Sequence, residues 1–255
     1  MKVSTARPRG SFEPPLSTAA AVPMVVVRLV GFVAFQAIIA GLYAWMGRAD
    51  AWSMSAAWWP VTATLTNVLC LVLLRSLLHR EGRRYRDFWH VERGTARADV
   101  LVVLGLLAVS VPLVLLPNFG LAQWLFGDPQ APAALFFGAL PRWAALGSLV
   151  AFPTTVAMAE LPTYFGYAMP RLAARWGLPA VAVVVAAFFL GAQHAGLPLR
   201  FDGAFVLWRF LMFMPFAFLL GVALHWRPRL LPYLMVVHGL LDLQAAWIVF
   251  VASTA

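Results

Sequence analysis

Residues 143–169 read WAALGSLVAFPTTVAMAELPTYFGYAM, a run in which Glu160 is the only charged residue. At a helical rise of about 1.5 Å per residue, such a stretch is longer than the roughly 30 Å hydrocarbon core of a bilayer. Comparable apolar runs lie at 24–46, 57–78, 99–117, 179–198, 204–226 and 230–251. Together they predict an all-α protein, a polytopic transmembrane bundle of about seven helices. Composition points the same way. Of 255 residues 62% are hydrophobic and only 11% charged, with 11 Trp and 19 Phe, more apolar surface than a water-exposed globule of this size can hide.

The formal net charge of +9 would suggest nucleic acid in a soluble protein. Here the cations are almost all arginine and fall between the apolar runs, so they read as a topology signal, and no nucleic-acid partner is expected. The segment His79–Ala98 carries Arg80, Arg83, Arg84, Arg86, Arg93 and Arg97. The positive-inside rule puts it, and with it the N-terminus, in the cytoplasm of a multi-pass protein of the cell (inner) membrane. A lipid headgroup or acidic-partner site is the alternative use of those cations. Residues 1–23 are polar and proline-bearing and are expected to form a disordered cytoplasmic tail. Residues 24–140 are expected to form N-terminal transmembrane helices with the Arg-rich cytoplasmic loop, and 141–255 the core helices that would carry the catalytic groups. Phe119–Leu140 is proline-rich and is expected to be an interfacial helix or a re-entrant piece. Cys70 is the only cysteine, which excludes an intrachain disulfide and a thiolate metal cluster.

Ionisable groups inside apolar spans are costly unless they face a protein interior or a wet cavity. Among acids and histidines the deep ones are Glu160, His194, His238 and Asp242, all in the last spans. His238 and Asp242 are four residues apart and share a helix face. Glu160 and His194 stand symmetrically about Gly177, the expected apex of a helical hairpin, so antiparallel helices would bring them level. Glu160 and His238 each lie about 15 Å from the nearest boundary, Pro170 and Pro228, at 1.5 Å per residue. Pro162 removes a backbone donor and frees a carbonyl near Met158. Each histidine alone could be an interhelical hydrogen-bond partner. Four such groups on adjacent spans favour a polar cavity.

The stretch 147–248 resembles the CAAX protease and bacteriocin-processing family, also called Abi or type II CAAX prenyl endopeptidase-like membrane proteins. That family shows Glu-Glu-x-x-x-Arg with a following Gly-Tyr and Pro-Arg-Leu-like end, then Phe-x-x-x-His, then His-x-x-x-Asn or Asp. Aligned on Gly166-Tyr167 and Pro170-Arg171-Leu172, Glu160 takes the first glutamate, His194 the helix-borne histidine, and His238 with Asp242 the last motif. The resemblance implies an intramembrane, metal-independent endopeptidase without cofactor, acting on a peptide or protein substrate in the membrane. In it Glu160 and His194 activate a water, while His238 and Asp242 stabilise the oxyanion. Leu161, Phe165 and Leu190 replace the second Glu, the Arg and the Phe. Leu161 and Phe165 are expected to form a dry apolar contact where the family keeps an ion pair. A family-like scaffold without proteolysis, a proton-coupled carrier and a zinc site are the competing readings. The absence of repeat symmetry weighs against the carrier, and the absence of a His pair at ligand spacing against zinc.

Overall fold

The computed structural model describes residues 18–254, so residues 1–17 of the expected tail lie outside the described residues. Among those described, every regular element is helical. Helix α1 spans Ala21–Trp45, α2 Ala51–Ala56, α3 Trp59–Arg80, α4 Ala96–Phe126 and α5 Ala131–Phe136. Helix α6, Arg142–Leu161, continues through a π-helical turn at Pro162–Ala168 into α7, Met169–Trp176. The chain ends with α8 Pro179–Ala192, α9 Gly203–Met212, α10 Met214–Trp226 and α11 Leu231–Thr254.

Seven rods are long and apolar enough to cross a membrane: Ala21–Trp45, Trp59–Arg80, Ala96–Phe126, Arg142–Trp176, Pro179–Gly196, Gly203–Trp226 and Pro228–Thr254. The chain is thus a multi-pass membrane protein, and each rod begins within a turn of its expected position. The third differs at its far end. It runs on through Pro112 and Pro117 to Phe126, so the first part of the proline-rich stretch is a continuation of α4. The rest folds into α5, whose Phe136 is buried and stacks on Trp59 at 4.6 Å between ring centroids.

Glu160 sits near the middle of the bundle because α6 is its central helix, packed on α11 along one side and α3 along another. The contact with α11 is close. A Cβ added at Gly239 would stand 2.8 Å from the Ala157 Cβ and 3.0 Å from the Pro153 carbonyl oxygen. Only hydrogen at this position lets the helices approach enough for His238, the adjacent residue, to reach Glu160. At the other end Gly177 ends α7 in the left-handed region at φ 66°, which a residue without Cβ adopts freely. The chain reverses there, and α7 packs against α8 as the expected hairpin.

The π-helical turn follows from Pro162. Proline has no N–H, so the Met158 carbonyl loses its partner one turn back. The Tyr85 hydroxyl donates to that oxygen from a short 3₁₀ turn, Tyr85–Trp89, inside the Arg-rich segment. Burial pushes the Tyr85 phenol up to about 12, so it remains an O–H donor at physiological pH.

Gly239→Ala is expected to destabilise the protein by about 1–3 kcal/mol, since neither Ala157 nor the Pro153 carbonyl can yield without separating the helices. Gly147→Ala, where nothing lies within 4 Å of the new Cβ, should be neutral or stabilising. Denaturant unfolding in micelles distinguishes them; equal effects would contradict the close-packing account.

Candidate functional site

Glu160 ends α6 just before the π-helical turn and is 3% exposed. A carboxylate buried at that depth requires a cation. It has one in Arg28 of α1, whose Nη2 donates to Oε2 at 2.9 Å. The Arg28 guanidinium is itself buried and makes two further bonds, Nη1 to Asn67 Oδ1 of α3 and Nε to Gln193 Oε1 beyond α8, both at 2.6 Å. Asn67 in turn donates to Thr155 of α6 at 3.1 Å, and the Tyr164 hydroxyl donates to Gln193 at 3.2 Å. One guanidinium therefore joins four membrane-crossing rods.

The other Glu160 oxygen, Oε1, faces His238. His238 Nε2 lies 2.9 Å from it and 3.4 Å from Asp242 Oδ2, in line for a hydrogen bond with neither. Glu160 Oε1, His238 Nδ1, Asp242 Oδ2 and Gln193 Nε2 are buried without a hydrogen-bond partner. Buried polar atoms are almost always satisfied, and each orphan costs about 1–3 kcal/mol. Glu160, His238 and Asp242 line the same two cavities, so their free atoms are available to a polar guest there.

His194 approaches from the 3₁₀ turn Gln193–Gly196 that follows α8. Its Nδ1 lies 3.0 Å from the Leu190 carbonyl oxygen and 3.2 Å from that of Gly191. Carbonyl oxygens only accept, so Nδ1 carries the proton and Nε2 keeps its lone pair. The ring rests against Phe213, with centroids 4.1 Å apart.

All four residues singled out from the sequence, Glu160, His194, His238 and Asp242, line one cavity of about 220 Å³. They also line the inner wall of an adjoining cleft of about 480 Å³ between α4 and α11. The cleft's outer residues include Val111, Leu115 and Leu241, between 45% and 54% exposed on the lipid-facing side. Water-loving groups thus sit at the back of an apolar side entrance. The smaller cavity is also lined by Phe136 of α5.

Two buried cations escaped the sequence reading. Arg28 is one. The second, Arg209 of α9, lines the cavity and donates to the backbone oxygens of Leu197 at 2.8 Å and His194 at 3.3 Å, with Phe136 4.3 Å from its guanidinium carbon. Each is a lone cation inside an apolar run, the same signal that exposed Glu160. Leu161 and Phe165 are buried among apolar neighbours and neither lines the two shared cavities, although Leu161 borders a small apolar crevice at the edge of His238. Among the described residues no set of three His, Cys, Asp or Glu side chains is disposed to share a metal ion. No protein family, curated protein or solved structure matches this chain.

Nitrogen-15 chemical shifts of labelled protein in lipid should report His194 as the Nδ1–H tautomer with an unprotonated Nε2 at neutral pH. A signal from protonated Nε2 would contradict its use as a base.

Proposed function

We propose that the protein is an intramembrane, metal-independent endopeptidase resembling the CAAX protease and bacteriocin-processing family. The observation that supports this reading is the convergence of Glu160, His194, His238 and Asp242 on one cavity with a lipid-side entrance. A peptide segment entering from the bilayer would meet two acceptors with open lone pairs, Glu160 Oε1 and His194 Nε2.

In the proposed reaction a water bound by both attacks the scissile carbonyl carbon, and His194 Nε2 takes its proton as the C–O bond forms. The carbonyl π electrons pass to oxygen, and His238 Nε2–H, committed to neither carboxylate, turns to that oxyanion. Collapse of the tetrahedral intermediate breaks the C–N bond, His194 returns the proton to the leaving amine, and a carboxyl group and an amine are the products. Arg28 holds Glu160 in position by fixing its other oxygen, and Asp242, whose carboxylate lies 3.4 Å from His238 Nε2, adds a negative charge beside the imidazole.

One observation favours a second reading. The Arg28 pair and its four-rod network are also what a rigid scaffold would use. A partner-binding protein with a purely structural core would keep these bonds and cleave nothing.

Proteoliposomes of the wild type should cleave a subset of a membrane-peptide library, read by mass spectrometry of the products. Glu160→Gln and His194→Ala should each lower the rate by roughly 10²–10⁴-fold with the protein still folded. Cleavage insensitive to both would refute the mechanism. No cleavage, with one partner retained by all variants, would favour the scaffold.

A further inference from the structure

At the Arg-rich end of the bundle an open groove of about 600 Å³ is lined by Arg75, His79, Arg83, Arg84, Tyr85 and Arg86. Positive-inside sorting accounts for cations in a loop but not for their gathering around one concavity. Four guanidinium groups placed together repel one another unless an anion lies between them. Among the described residues none of the four is ion-paired to a carboxylate. Glu81 is paired with the buried Arg171, Asp99 with Arg229, and Asp87 accepts the backbone N–H of Arg84. With Asp87 the one carboxylate on the groove's own turn, the groove carries an excess of positive charge, with planar donors suited to an oxyanion such as a phosphate.

The helix below it shows what carries that phosphate. Leu65, Val68, Val72, Arg75 and His79 recur at alternating intervals of three and four on α3, hence on one face. Its apolar members are exposed at 41%, 47% and 60%. From Leu65 to Arg75 the stripe is about 15 Å long at 1.5 Å per residue, half of the roughly 30 Å core and so the depth of one leaflet. An acyl chain laid on this stripe would deliver its headgroup into the groove, whereas a free phosphate would have no use for the stripe.

We propose that this groove binds the phosphate of an anionic phospholipid whose acyl chain lies along the Leu65–Val72 face of α3. The bound lipid bears on the core, because the groove wall is the 3₁₀ turn that Tyr85 and Phe88 fasten to the central rod. Arg75 lies over the Tyr85 ring at 5.7 Å, Tyr85 donates to the Met158 carbonyl, and Phe88 packs beside Gly166.

The full-length chain in phosphatidylcholine vesicles, probed with spin-labelled phosphatidylglycerol or spin-labelled phosphatidylcholine, tests the proposal by the fraction of immobilised label. The wild type should immobilise the anionic label several-fold more than the zwitterionic one. Arg83→Gln/Arg86→Gln, which breaks no internal bond, should bring that ratio close to one. Arg93→Gln/Arg97→Gln removes the same charge from the same segment outside the groove and should leave the ratio unchanged. Equal loss in both double variants, or no loss in either, would overturn the groove as the site. Displacement of the label by excess inorganic phosphate would overturn the lipid as its occupant.

Discussion

A guanidinium buried among apolar helices must have its donors met by the protein, and that constraint organises this protein. Arg28 must find acceptors within the bundle, and it finds them on three other rods: Asn67 of α3, Glu160 of α6 and Gln193 beyond α8. Between apolar helices in lipid there is little hydrophobic drive to associate, so packing and interhelical polar contacts must set the arrangement. The Arg28 network sets which faces meet. It also leaves only one Glu160 oxygen free, and that oxygen points to the cavity wall shared with His238 and Asp242.

The remaining devices hold this arrangement open on one side. Gly239 brings α11 against α6, whereas α4 packs mainly on α9 and α10 and stands off α11, which leaves the lipid-side cleft. Pro162 widens the backbone after Glu160 into a π-helical turn, a distortion that recurs at functional sites, and Tyr85 satisfies the carbonyl that proline abandons. Below it the Arg171–Glu81 pair fastens the last turn of α3 to α7. The buried carboxylates are thus stitched at both levels, Glu160 by Arg28 at the cavity, and Glu81 by Arg171 and Asp99 by Arg229 toward the Arg-rich end.

The seven spans were legible because hydropathy over about 20 residues is a strong signal, and the fourth carried its own marker in Glu160. The hairpin about Gly177 and the shared face of His238 and Asp242 were legible for the same geometric reason, since helical periodicity converts spacing into direction. Arg28 is legible only where a lone arginine inside an apolar run is weighed as a costly buried charge, whereas arginine between runs is a topology signal. Its position as the only charge in 24–46 held the necessary information. The partner of Arg28 was beyond reach from sequence, since Glu160 lies 132 residues away and nothing local specifies which helices meet. The extension of α4 through two prolines is not legible in the sequence because proline ends helices in water more often than in membranes, where neighbours satisfy the freed carbonyls.

The dependence of the bundle on Arg28 and Glu160 as a pair is tested most directly by a double-mutant cycle, with unfolding free energies measured in micelles for Arg28→Met, Glu160→Met and the combination. The pair account predicts a cost of about 3–5 kcal/mol for Arg28→Met, which strands the carboxylate. It also predicts that the double variant is more stable than the sum of the single losses by about 2 kcal/mol. Single losses below about 1 kcal/mol that simply add would contradict it.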